Sequence, residues 1–161
     1  MVLFTKVPGM TVFAPSSYQE LQVQVSDAVK LCTDGPSMIR WSRQPARSVT
    51  EAEVGVGLRA RKARQGTDVC IIGVGHLLAE ALAAADQLAD AGISATVWDP
   101  RVICPADPEM VADAATHRVV ITVEDGLRNG GAGELFRDKI EKHLGEQGSD
   151  ASICDLSLIH I

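Results

Sequence analysis

At 161 residues and 17.1 kDa, with 46% hydrophobic and 22% charged residues and a mean hydropathy of +0.10, the chain can bury one ordinary core and is not a disordered or collagen-like polymer. Fifteen Lys and Arg against 21 Asp and Glu leave a net charge of -6 and a pI near 5.1, which argues against a general nucleic-acid binder or a polybasic membrane module. The charge is uneven: Arg40, Arg43, Arg47, Arg59, Arg61, Lys62 and Arg64 face only Glu51 and Glu53, so this stretch is net +5, the rest is -11, and one local anion site is open.

The N-terminus has no charged region ahead of a long apolar core, and no window supplies the roughly 20 apolar residues of a membrane span. A cytoplasmic protein without membrane partners is expected. Residues 10–14 (MTVFA) form a short apolar run ended by Pro15. Ser17 and Glu20 then have the spacing of a capping box, and Leu21, Val25, Ala28, Val29 and Cys32 recur at helical spacing, which predicts a buried stripe ending at the Asp34-Gly35-Pro36 turn. Residues 37–41 read as the next strand, completing a βαβ unit.

From 44 to 67 the apolar periodicity lapses, as in a connection between domains, with a boundary near residue 66. Beyond it, 68–74 (DVCIIGV) has the continuous apolar character of a parallel strand buried on both faces. Leu77, Leu78, Ala81, Leu82, Ala85 and Leu88 predict a helix stopped by Gly92. A strand at 93–98, a helix at 107–115, a strand at 118–124, a helix from the glycine-rich turn to about Leu144 and a last strand at 151–154 follow. The alternation predicts a three-layer α/β/α domain with a mainly parallel sheet. The final six residues, LSLIHI, read as the translation of a sequencing-library adapter, so 156–161, His160 included, are set aside.

Several segments invite a chemical reading. Gly73 and Gly75 sit where a strand turns into a helix, but Leu78 occupies the third glycine position of a dinucleotide fingerprint and Asp99 is followed by proline, so a tight turn is the better reading. Residues 123–133 (VEDGLRNGGAG) combine two carboxylates, an arginine and glycines that open a helix: either an anion cradle or close backbone packing. His76, His117 and His143 belong to no local catalytic pattern and are expected to be structural or solvated. Cys32, Cys70, Cys104 and Cys154 are too dispersed for a metal site and are expected to be ordinary buried thiols. Arg40 and Arg43 close a strand at the edge where doubly wound sheets bind ligands, and their planar forks suit phosphate. Strand alternation turns them to opposite sides, so at most one should be a ligand contact and the other should pair with a carboxylate.

Three segments together, VPGMTVFAPSSYQEL (7–21), DGPSMIRWSR (34–43) and the series DVCIIGVG, WDPRVICPAD and VVITVEDGLRNGGAGELF, resemble the C-terminal part of the 1-deoxy-D-xylulose-5-phosphate synthase family within the transketolase superfamily. The resemblance implies a thiamin-diphosphate and Mg2+ enzyme that decarboxylates pyruvate and joins the two-carbon unit to glyceraldehyde 3-phosphate, working as a homodimer in isoprenoid and thiamin biosynthesis. It implies that 1–50 are the end of the pyrimidine-binding domain, 51–66 a linker and 67–155 the transketolase C-terminal domain. Arg43 matches the arginine that holds the aldehyde's phosphate. The family turn Tyr-Pro-Arg-Gly is Trp41-Ser42-Arg43-Gln44 here, and no GDG…N motif is present, so the main cofactor and metal motifs are absent, no catalytic residue is assigned, and the chain alone is expected to be inactive. A 2-oxo-acid dehydrogenase β-type subunit and a non-catalytic assembly module are the alternatives.

Overall fold

The computed structural model describes residues 2–147 and 152–155; the terminal hexapeptide lies outside them. In chain order the elements are β1 (Thr11–Phe13), α1 (Tyr18–Leu31), β2 (Ser37–Ile39), β3 (Arg61–Arg64), β4 (Val69–Gly73), α2 (Leu78–Asp90), β5 (Ala95–Asp99), β6 (Val102–Cys104), α3 (Pro108–Ala114), β7 (Val119–Val123), α4 (Ala132–Gln147) and β8 (Ser152–Asp155). They build two sheets, ordered β2-β1-β6 and β3-β5-β4-β7-β8. β1 and β2 pair in parallel, Thr11 opposite Ser37, as the βαβ reading requires. In the larger sheet β5, β4, β7 and β8 are parallel, and β3 is an antiparallel edge.

The buried strands alternate their side chains between two cores. Cys70, Ile72 and Val74 join Trp98, Met110, Phe136 and Ile140 in one cluster. Ile71, Ala95 and Val97 join Leu78, Ala81 and Ala85 of α2 in the other. Helices therefore cover both faces, which gives the three layers. The α2 stripe is buried because small Ala81 and Ala85 let the helix approach the sheet closely, and Gly92, at φ 80°, follows its end.

Two strands lie where none was expected. β3 falls inside the segment taken as a linker: its sequence Arg-Lys-Ala-Arg has no apolar alternation, and as an edge strand it needs none. Lys62 Nζ lies 2.9 Å from Asp113 Oδ1, and Arg64 Nη1 lies 2.5 Å from Asp86 Oδ1. Burial pushes the Asp113 carboxyl upward, but hydrogen bonds from Lys62 and Trp98 prevail and hold it below its ordinary range. β6 leaves the larger sheet after β5 and adds antiparallel to β1, so the smaller sheet draws strands from both ends of the chain.

The reading of α1 is overturned. Ser17 does cap it, accepting from the Glu20 amide at 3.1 Å. Glu20 does not reach back: its side chain is fully buried and turns to Arg101. Of the expected apolar stripe, Val25 and Val29 are 46% and 77% exposed and Leu21, Ala28 and Cys32 are only half-buried, while Glu20 and Gln24 are 0% exposed. A long-range ion pair, not apolar periodicity, selects the face that α1 buries.

Candidate functional site

β2 ends at Ile39, and its pairing continues for one residue, with Arg40 N donating to Phe13 O at 2.9 Å. The Arg40 guanidinium then turns to the loop after β7, where Nη2 donates to the Asp125 carbonyl and lies 3.5 Å from its carboxylate. Arg40 is thus the carboxylate-paired arginine. Arg43 is exposed and makes no hydrogen bond or ion pair with any described residue. Its turn is closed by Gln44 N donating to Ser42 Oγ at 3.0 Å. Downstream, Tyr18 N donates to Arg47 O at 2.9 Å, and Arg47 pairs with Glu53 at 2.8 Å.

Trp41, Ser42, Gln44 and Arg47 form one wall of a cleft of about 200 Å3, and Ser17 and His76 belong to its other sides. His76 reaches it because it lies in the 3-10 turn directly after β4. The segments that follow β1, β2 and β4 therefore meet at one groove of mixed polar and apolar lining, and Arg43 lies on the turn between two of its lining residues, Ser42 and Gln44.

Neither glycine turn offers a diphosphate cradle. A Cβ on Gly73 would lie 2.9 Å from both Ala81 Cβ and Leu78 Cα, so that glycine exists to let α2 pack against β4. At the second turn the N-terminus of α4 already holds an anion: Glu124, fully buried, accepts from Ala132 N at 3.0 Å and Gly133 N at 2.9 Å. A Cβ on Gly131 would fall 2.3 Å from Glu124 Oε1, so glycine there makes room for this carboxylate. Among the described residues no three His, Cys, Asp or Glu side chains gather as a metal set. Among the described residues, therefore, neither glycine turn nor any cluster of ligating side chains fits thiamin diphosphate and its metal.

Three other fully buried charges, Glu20, Asp99 and Arg101, form a joint between the two units. Arg101, 0% exposed and at φ 56°, directs Nε to both Glu20 oxygens at 3.0 and 2.8 Å. Its Nη1 donates to the carbonyls of Gly57 and Arg59, each at 2.8 Å. Beside it Asp99 accepts from Ser16 Oγ at 2.6 Å and from Arg101 N at 3.1 Å. Burial pushes the Asp99 carboxyl up to about 6, against the lowering effect of the Ser16 bond. Asp99 is thereby committed to Ser16 and not to a ribose. Sequence reasoning missed Arg101; the signal was a pair of charges, Asp99 and Arg101, set between the runs at 95–98 and 102–104.

His117 is buried, with Nε2 3.0 Å from Thr96 Oγ1 and Nδ1 2.9 Å from the Asp113 carbonyl, a structural role. His143 is half-buried on α4. Cys70 is fully buried and its thiol is pushed up to about 12 by burial, whereas Cys32 and Cys104 are half-buried, and all three are free. Among the described residues no helix is long and apolar enough to cross a membrane.

The family model for the transketolase C-terminal domain matches residues 58–150, beginning ahead of β3. The 1-deoxy-D-xylulose-5-phosphate synthase of Kocuria rhizophila is 32% identical over 98% of this chain and 24% of its own length. That of Anaeromyxobacter dehalogenans is 38% identical over 84% of this chain and 22% of its own, and that of Paenarthrobacter aurescens 37% identical over 87% and 22%. The chain thus spans about a quarter of the length of these relatives. Among solved structures, a split-gene transketolase, described as an inactive beta4 tetramer, superposes with a TM-score of 0.85 at 27% identity, covering 97% of this chain and 50% of that one. With its parallel sheet, its covering helices and a match over more than half its length, the chain belongs to the transketolase family, and its curated relatives are 1-deoxy-D-xylulose-5-phosphate synthases.

Proposed function

We propose that this chain is the C-terminal part of a 1-deoxy-D-xylulose-5-phosphate synthase, and that Arg43 binds the phosphate of glyceraldehyde 3-phosphate in the complete enzyme. In this reading the parent is a cytoplasmic homodimer that condenses pyruvate with the phosphorylated aldehyde and releases CO2. Thiamin diphosphate supplies the carbanion chemistry there, held with Mg2+ by residues outside this chain. Residues 1–50 are the end of the pyrimidine-binding domain, and the join to the C-terminal domain lies nearer 58 than 66, since β3 already pairs with β5.

The observation that carries the reading is the contrast between the two arginines. Arg40 spends its charge on Asp125, whereas Arg43 lies on the turn between two residues that line the cleft, Ser42 and Gln44, with its five donors uncommitted among the described residues. A guanidinium in that state is suited to bidentate phosphate binding.

In the full-length enzyme, Arg43→Ala should raise KM for glyceraldehyde 3-phosphate by about 10- to 100-fold, the worth of a charged hydrogen bond, with cofactor affinity nearly unchanged. An unchanged KM rejects the assignment and favours a relative acting on an unphosphorylated substrate. The 161-residue chain assayed with pyruvate, the aldehyde, thiamin diphosphate and Mg2+ should show no turnover, and activity above background would refute the fragment reading.

A further inference from the structure

We propose that Arg40 is a positioning residue: its clamp on Asp125 sets where the Arg43 turn stands over the cleft, and so sets the enzyme's preference for a phosphorylated aldehyde. The inference rests on the reading of Arg43 as the phosphate contact.

The turn hangs between two anchors. On the downstream side Tyr18 N holds the Arg47 carbonyl, and Val49 N donates to Gln19 Oε1 at 3.0 Å, so the chain is fastened to the first turn of α1. On the upstream side the backbone is fastened only as far as Arg40, whose amide makes the last contact with β1. β2 is three residues long and an edge of its sheet, so its end has no second strand to hold it. The Arg40 side chain supplies the missing constraint by crossing to the loop after β7 and engaging Asp125 through both its carbonyl and its carboxylate.

That loop is itself rigid ground. Asp125 follows Glu124, whose buried carboxylate is locked onto the amides of Ala132 and Gly133 at the start of α4. β7, four residues long in its parallel pairing with β8 and five with β4, fixes the other end. Arg40 thus ties a turn with little support of its own to the central sheet. Trp41 is 61% exposed, so packing of that side chain does not replace the tie. Because Arg43 is three residues beyond Arg40, loosening the clamp moves the guanidinium without removing it, and a displaced fork loses its bidentate geometry.

The test measures kcat/KM in the full-length enzyme for glyceraldehyde 3-phosphate and for unphosphorylated glyceraldehyde, and takes the ratio as the phosphate preference. Arg43→Ala should lower the preference most. Arg40→Ala should lower it about tenfold, as a misplaced binding group does, and Arg40→Lys should recover part of it. The double variant should be no worse than Arg43→Ala alone, because Arg40 acts through Arg43. If Arg43→Ala lowers the preference and Arg40→Ala leaves it intact, or if the two losses add, the clamp is overturned while the phosphate site stands. If Arg43→Ala leaves the preference intact, the phosphate reading fails and the clamp with it. Should Arg40→Ala show no folding transition, Arg40→Met, which keeps a long side chain and removes every donor to Asp125, decides by the same ratio.

Discussion

Helix α1 and the helices of the larger sheet are held by opposite means. In the larger sheet apolar side chains alternate into two clusters, one of which also takes in Val12 and Ala14 of the first unit, and α2 and α4 turn their apolar stripes inward. In the first unit the helix α1 buries Glu20 and Gln24 and leaves Val25 and Val29 in solvent, and what fastens it is the guanidinium of Arg101. An apolar stripe can be satisfied by any neighbour of suitable shape. A buried carboxylate needs a matching donor, so the Glu20–Arg101 pair fixes which face α1 turns inward.

The sharpest way to break this contrast is Arg101→Ala. It leaves Glu20 buried without its partner and should cost about 3–5 kcal/mol, read from urea unfolding of the 161-residue chain. The double change Arg101→Met with Glu20→Leu should recover much of that loss. A single Arg101→Ala that unfolds at the same urea concentration as the parent would show that the joint contributes nothing.

A smaller effect should come from pH. Asp99 titrates near 6 in the folded chain against 3.8 for the ordinary group, so between about 4 and 6 the folded state holds the extra proton. Its contribution is complete below 4, is lost as pH rises through 6 and is flat above. Thermal melts across that window should show the fall, and Asp99→Asn should flatten it; an equal slope in both proteins would remove Asp99 from the joint's energetics. Smallest of all, Val29→Ala on the outward face of α1 should change stability by no more than about 0.5 kcal/mol, as surface truncations do. A loss of 2 kcal/mol or more, the size expected of a buried position, would mean that α1 buries its stripe after all.

The same contrast explains what was legible in the sequence. α2 and the strands β4, β5 and β7 were readable because short-range apolar patterns decide their burial. The burial of α1 was not, because its decisive partner lies 81 residues away and nothing in residues 17–32 announces it. β3 and β6 escaped notice for a different reason: one is a charged edge and the other is three residues long. At the candidate site, the expectation that one of the two arginines pairs with a carboxylate is met by Arg40, although β2 ends at Ile39, before either of them, so strand alternation is not what separates them. The residue pattern also had a limit. It did not reveal Asp125 as Arg40's partner, or Glu124 as the anion in the glycine turn, because both pairings depend on which loops the sheet brings together.

Strand β6 has one more consequence. Because the chain leaves the first unit through residues 44–60 and returns a strand to it at 102–104, β1 is hydrogen-bonded on one side to its sequence neighbour and on the other to the far half of the molecule. A protease that nicks the exposed stretch at 43–48 therefore severs the covalent path without freeing either piece. The nicked protein should elute as one particle on gel filtration and separate into two only in denaturant.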